Sequence, residues 1–409
     1  MAEDREDRAS RLCERGFEMG YAHSSEKSAD QPLLLMSDKS PEGFLYRHPR
    51  SSRRTWIALV VTSLFLVASV FAVLMVRQIK LFEERRWNIK NFRSFITFGD
   101  SWTGESRYEY FYAHNSTLPE PGTLLGENLR TIVGGRVWAR YVVQYAGSSD
   151  PMQWKPQITL YNYAFGGSWC SDELIARGPK GVSVLEGGVP SFIHDMNATR
   201  LDTTEPFFQP PITPSNAVFA LWIGVNDLGM FAYLSDDQVY GKTLLDFTEC
   251  NFRSFDALYA AGARTFVLMN TAPLQLAPAH ANTTSSGGER IKDSWMAGRE
   301  LSMTEAINNI FRYQTLYEFT VSMRYPGARV ALFDVNSLLT HLYYNPGLYL
   351  NGSAAPNVTG FSIETEYGAQ NPDSFMWRNN LHPSEQTSRI IAAEFVKVLD
   401  GKSTYAQYW

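Results

Sequence analysis

Between Thr55 and Val76 the chain reads TWIALVVTSLFLVASVFAVLMV, 22 residues without a charge, and no other feature constrains the fold as strongly. A helix of that length covers about 33 Å, enough for the hydrocarbon core of a bilayer. A cleaved signal peptide would place a shorter apolar run nearer the N-terminus, so 55–76 reads as a transmembrane helix. The residues ahead of it, 1–54, are polar and of mixed charge, without a sustained helical period, and read as a disordered tail. Residues 77–93 read as a short charged stalk, and 94–409 as the folded domain.

Arginines and lysines flank both ends of the apolar run almost equally, so the positive-inside rule decides little. Asn-x-Ser/Thr sequons break the tie. They occur at Asn115, Asn197, Asn282, Asn351 and Asn357, all beyond the run, and glycosylation needs a lumenal or extracellular location. The expected arrangement is a cytosolic tail and a lumenal or extracellular domain, in the Golgi, an endosome or vacuole, or at the cell surface. Cys13 lies in the tail, leaving Cys170 and Cys250 as a pair able to bridge in an oxidising compartment. The stretch DQPLLL, Asp30–Leu35, resembles acidic dileucine signals that engage sorting adaptors. A net charge of −5 without a basic stripe argues against nucleic acid as a partner.

The domain alternates short apolar runs with longer amphipathic ones. Strands are expected at Ser94–Phe98, Ile158–Ala164, Ala217–Ile223, Thr265–Met269 and Arg329–Phe333, several of them continuously apolar, as in strands buried on both faces. Helices are expected in GRVWARYVVQYAG, with Val137, Tyr141 and Tyr145 on one stripe, and in TLLDFTECNFRSFDALYAAG, which stops at Gly262. A third is expected over Trp295–Met323. A fourth is expected in PSEQTSRIIAAEFVKVLD, with Pro383 in its first turn and Ile390, Phe395 and Val398 toward the sheet. This alternation predicts a three-layer α/β/α sandwich around a five-stranded, mostly parallel sheet. Ligands of such sheets sit at the carboxyl ends of the strands, where Ser101, Gly167 and Asn226 follow the first three.

Gly-x-Ser-x-Gly, His-Glu-x-x-His, Walker A and Cys-x-x-Cys patterns are missing, and the histidines show no metal-ligand spacing. Four blocks occur in order instead: FGDSW at Ser101, NYAFGGSW at Gly167, WIGVNDLG at Asn226 and NNLHPSE at His382. Their order and spacing resemble the GDSL/SGNH hydrolase superfamily, its fungal lipase/acylhydrolase members close to carbohydrate acetylesterases above all, over roughly Phe95–Leu399. The resemblance implies Ser101 as nucleophile and His382 as general base and acid. It also implies an oxyanion hole built from the backbone N–H groups of Ser101 and Gly167 and the side-chain amide of Asn226. It calls for no cofactor or metal. In one place the chain departs from the family pattern. Where an aspartate usually orients the histidine from three residues upstream, this chain has Asn379, and Asp373 is the nearby carboxylate that could replace it. The expected activity is removal of short acyl groups, above all acetyl, from sugar hydroxyls. The alternatives are a lumenal O-acyltransferase using the same serine and a catalytically weak glycan-binding protein.

Overall fold

The computed structural model describes residues 53–85, 87–147, 156–178, 181–281, 294–362, 364–365, 368–369 and 371–409. Asn282, Cys13 and Asp30–Leu35 lie outside the described residues. Helix α1, Arg53–Arg85, contains the whole apolar run. Its 22-residue span has a mean hydropathy of 2.7, and among the described residues it is the one helix long and apolar enough to cross a membrane. Residues 77–85, expected in a stalk, continue this helix. Residues 87–93, also expected there, belong to the domain instead. Trp87 and Phe92 are buried in its core, the Trp87 ring packs on Tyr408 at 5.5 Å, and the Ile89 N–H donates to Asp400. Two aromatic side chains outweigh the charged residues around them.

The domain is built on β1 (Ser94–Gly99), β2 (Thr159–Asn162), β3 (Ala217–Trp222), β4 (Thr265–Met269) and β5 (Arg329–Phe333), which pair in parallel in the order β5-β4-β3-β1-β2. Strands β1, β3, β4 and β5 are buried along their whole length, which is why they read as unbroken apolar runs. The expected five strands are joined by a sixth. Ala406–Tyr408 pairs antiparallel with the outer edge of β5, giving a six-stranded sheet. This strand is too short to show an alternating pattern in the sequence.

Helices cover both faces. Phe395 of the C-terminal helix, Glu385–Leu399, meets Phe95 at 5.3 Å and Trp138 at 4.8 Å, placing this helix and helix Trp138–Gly147 on one side of the sheet. Phe98, of opposite parity to Phe95 along β1, meets Phe192 of helix Val189–Asp195 on the other side. That side also carries helix Leu244–Ala260, through Phe255 against Phe266, and helix Ser294–Leu316. Helix Leu244–Ala260 opens with a Thr243/Asp246 capping box and stops before Gly262, whose φ is +103°. The C-terminal helix differs slightly from expectation. Pro383, expected in its first turn, lies ahead of it: Ser384 caps the helix, accepting from the Thr387 N–H, and Ile391 is fully buried where Ile390 is partly exposed. Pro383 precedes the cap and is bridged to Trp377.

Candidate active site

Ser101 sits just past β1, in a turn closed by N–H bonds from Thr103 and Gly104 to the Asp100 carbonyl. The Asp100 carboxylate is buried behind it and accepts from the Trp102 and Val225 N–H groups at 3.0 and 3.4 Å. Burial pushes this carboxyl up to about 7, against the lowering effect of the backbone donors. Below the turn, the Trp102 ring meets Trp222 of β3 at 5.2 Å and Trp377 of the histidine-bearing segment at 6.1 Å. Three interlocked indoles therefore fix the serine turn relative to the strand beside it and to the histidine.

His382 is presented by a tight loop whose Arg378 N–H donates to the His382 carbonyl at 2.8 Å. Ser101 Oγ and His382 Nε2 are 2.7 Å apart. On the far side of the ring, His382 Nδ1 lies 3.0 Å from Asn379 Oδ1. The same oxygen accepts the Leu381 and His382 N–H groups at 2.9 and 2.8 Å. Those two donors fix which end of the Asn379 amide faces the imidazole, because the NH2 end could not accept them. Nδ1 must then carry the hydrogen, leaving the Nε2 lone pair toward Ser101. Asp373, the other candidate for this role, is bound instead to Arg389. Burial pulls the His382 imidazole down to about 4, so it is neutral at pH 7.

Gly167 follows β2 with φ +79°, a conformation that favours glycine, although a Cβ there would meet only open space. Asn226 follows β3, and its amide nitrogen donates to the Ser168 carbonyl at 2.8 Å, leaving one N–H for a ligand. The order of motifs in the sequence does not reveal what holds these two positions. Asp227 is fully buried, and its Oδ1 accepts the Cys170 N–H at 2.9 Å. Burial pushes it up to about 7, with the Asp100 charge adding to the effect. Arg177 donates to the Asn226 carbonyl at 2.9 Å, with its guanidinium 5.5 Å from the Trp169 ring centroid. Cys170 is disulfide-bonded to Cys250, tying the segment after Gly167 to helix Leu244–Ala260. Asn115, Asn197 and Asn351 are exposed, while Asn357 is half-buried and its Oδ1 accepts the Thr359 and Gly360 N–H groups.

Ser101, Gly167, Asn226, Asn379 and His382 line one solvent-open cleft of about 1150 Å³, with Tyr108, Glu109 and Arg130 among its walls. A hydroxyl in contact with a neutral imidazole, beside donors with spare capacity, is equipped for nucleophilic attack on an ester carbonyl.

The chain is similar to known proteins. Residues 95–395 match the GDSL-like Lipase/Acylhydrolase family. The chain is 33% identical over 337 residues to an acetylesterase of Hypocrea jecorina, covering 78% of this chain and 92% of that protein. It is 28% identical over 307 residues to an acetylesterase of Thermothelomyces thermophilus, covering 73% of this chain and 85% of that one. An acetylxylan esterase structure from Geobacillus stearothermophilus aligns with 76% of this chain and 96% of its own at 14% identity, with a TM-score of 0.38.

Proposed function

The chain belongs to the GDSL-like lipase/acylhydrolase family and is a carboxylic ester hydrolase; from this premise we propose that it removes short acyl groups, above all acetyl, from hydroxyls of a carbohydrate. The observation that carries the reading is the 2.7 Å contact between Ser101 Oγ and His382 Nε2, in a cleft shared with Gly167 and Asn226. Ser101 Oγ attacks the ester carbonyl while Nε2 takes its proton. The resulting oxyanion is held by the Ser101 and Gly167 N–H groups and the free N–H of Asn226. As the tetrahedral intermediate collapses, the imidazolium gives its proton to the departing sugar hydroxyl. Water, deprotonated by the same imidazole, then attacks the acyl carbonyl, and the imidazolium returns the proton to Ser101 Oγ as the acid leaves. Asn379 keeps the imidazole in the required tautomer without contributing a charge. The cleft is open to solvent, which favours water over a second hydroxyl as acceptor and so hydrolysis over acyl transfer.

The same reading places the tail in the cytosol, where Asp30–Leu35 would meet a sorting adaptor, α1 in the bilayer, and the esterase domain in the lumen or outside the cell. The Cys170–Cys250 bond and the exposed Asn115, Asn197 and Asn351 support that orientation.

The test is hydrolysis of p-nitrophenyl acetate, a p-nitrophenyl ester of a long fatty acid and an acetylated xylotriose by the full chain in mild detergent, with Ser101→Ala as control. Acetyl release from the trisaccharide by the parent chain and not by the variant is the expected result. Preference for the long-chain ester, or equal release by both chains, overturns the reading.

A further inference from the structure

Tyr108 lines the cleft, and neither the reaction nor the motifs give it a role. Helix α2, Arg107–Ala113, starts six residues after Ser101 and carries Tyr108 and Tyr112. Both are exposed, 44% and 48%, and their ring centroids are 4.7 Å apart with the rings tilted 56° to each other. The Tyr108 ring is nonetheless held in place. It lies 5.6 Å from the Phe165 ring and directly over Gly166, where a Cβ would come within 2.9 Å of Tyr108 Cδ2. The missing side chain at Gly166 is what lets the ring settle there, one residue from the oxyanion donor Gly167.

Two charged side chains share the cleft with this ring. Glu109 and Arg130 both line it, both are exposed, and neither is ion-paired among the described residues. A lipid chain would bury these charges against methylenes at a desolvation cost. A sugar presents C–H groups on a ring face and hydroxyls at its edge, matching an aromatic face bordered by a carboxylate and a guanidinium. An acetyl group carries a single methyl beyond its carbonyl carbon. A group broad enough to cover the Tyr108 ring therefore belongs to the alcohol part of the ester.

Resting on the esterase reading above, we infer that the exposed face of Tyr108 is the subsite on which the sugar of the acetylated substrate stacks, with Glu109 and Arg130 addressing its hydroxyls. Tyr108 is thus a specificity-determining residue that distinguishes glycan esters from esters of small alcohols.

The experiment compares kcat/KM for monoacetylated xylotriose with kcat/KM for ethyl acetate, whose alcohol is too small to cover the ring, using the full chain in detergent. Tyr108→Leu fills the space over Gly166 without an aromatic face, and Tyr108→Phe keeps that face without the hydroxyl. The trisaccharide-to-ethyl-acetate ratio should fall about ten-fold in Tyr108→Leu, chiefly through KM, and stay near the parent value in Tyr108→Phe. An unchanged ratio in Tyr108→Leu, with the parent chain active on the trisaccharide, overturns this inference alone. A parent chain that hydrolyses ethyl acetate and not the trisaccharide overturns the carbohydrate reading and the inference with it. Tyr108→Leu samples are matched to the parent by thermal melting, and a variant that does not fold is replaced by Tyr108→Met, judged by the same ratio.

Discussion

The two sides of the cleft are supported by opposite means. On the histidine side, the group that orients the imidazole is an amide, held by two backbone donors and carrying no charge. Behind Ser101, Gly167 and Asn226, by contrast, two carboxyl groups are buried, Asp100 and Asp227, and both accept backbone N–H groups. The carboxyl groups sit where the backbone must be held still, and the residue facing the imidazole is the neutral one.

The largest expected effect removes the group on which both sides act. Ser101→Ala should lower kcat for p-nitrophenyl acetate by about 10⁴-fold or more, and a smaller loss would mean that neither side serves a covalent mechanism. Next is Asp227→Ala, which leaves the buried Cys170 N–H without its acceptor and loosens the segment beside Gly167. We expect a loss of about 10²-fold in kcat, largely restored in Asp227→Asn, which keeps an accepting oxygen. If Asp227→Asn is as damaged as Asp227→Ala, charge rather than hydrogen bonding is what matters there, and the contrast between the two sides disappears.

Asn379→Asp tests the histidine side. With the imidazole at about 4, kcat/KM of the parent should hold down to about that pH and fall below it, as the base is protonated. A carboxylate on Nδ1 favours the imidazolium, so the acid limb of the variant should move up by about 1 pH unit or more. An unmoved limb would mean that Asn379 does not govern the base.

The smallest effect concerns stability. Asp100 and Asp227, raised from 3.8 to about 7, keep protons in the folded chain that the unfolded chain has already lost. His382, lowered from 6.5 to about 4, does the reverse. Between about pH 4 and pH 6.5 the folded chain thus holds two carboxyl protons the unfolded chain lacks and misses one imidazole proton, so stability falls as pH rises. Above about pH 6.5 the histidine no longer contributes, and the fall continues to about pH 7. Melting temperatures should be higher at pH 5 than at pH 7.5, with a flatter profile in Asp227→Asn. The same slope in both chains would remove Asp227 from this account.

How much of this was visible in the sequence follows from the range of each interaction. Four of the five parallel strands are legible because burial on both faces writes itself as a continuous apolar run, and edge strand β2 by its aromatic and β-branched residues. The final strand is not, since three residues at a sheet edge carry no period. Ile390 stands in for Ile391 because adjacent helical residues differ by about 100° around the axis, and an amphipathic stripe is wider than that. Ser101, Gly167, Asn226 and His382 are legible as motifs, each tied to a strand end or helix start, and the spacing of Asn379 marks its position. Asp100 and Asp227 stand inside the quoted blocks, yet Val225 and Cys170, whose N–H groups they accept, are remote in sequence. The Trp102–Trp222–Trp377 cluster, the Arg177 bond to Asn226 and the Tyr108 ring over Gly166 are likewise contacts between distant segments, which no local pattern announces.

The place where the chain joins the domain has a mechanical consequence. Trp87 rests on Tyr408 of the last strand, the Arg329 guanidinium lies 5.2 Å from its ring centroid, and Trp409 exchanges backbone bonds with Val330. Both ends of the domain are thereby clasped to the amino-terminal end of β5, while the loops carrying Ser101, Gly167 and Asn226 leave β1, β2 and β3 from their opposite ends. The segment at Trp87 and the C-terminal strand are therefore anchored to the same edge strand, at the end of the sheet opposite Ser101 and the loops that carry Gly167 and Asn226.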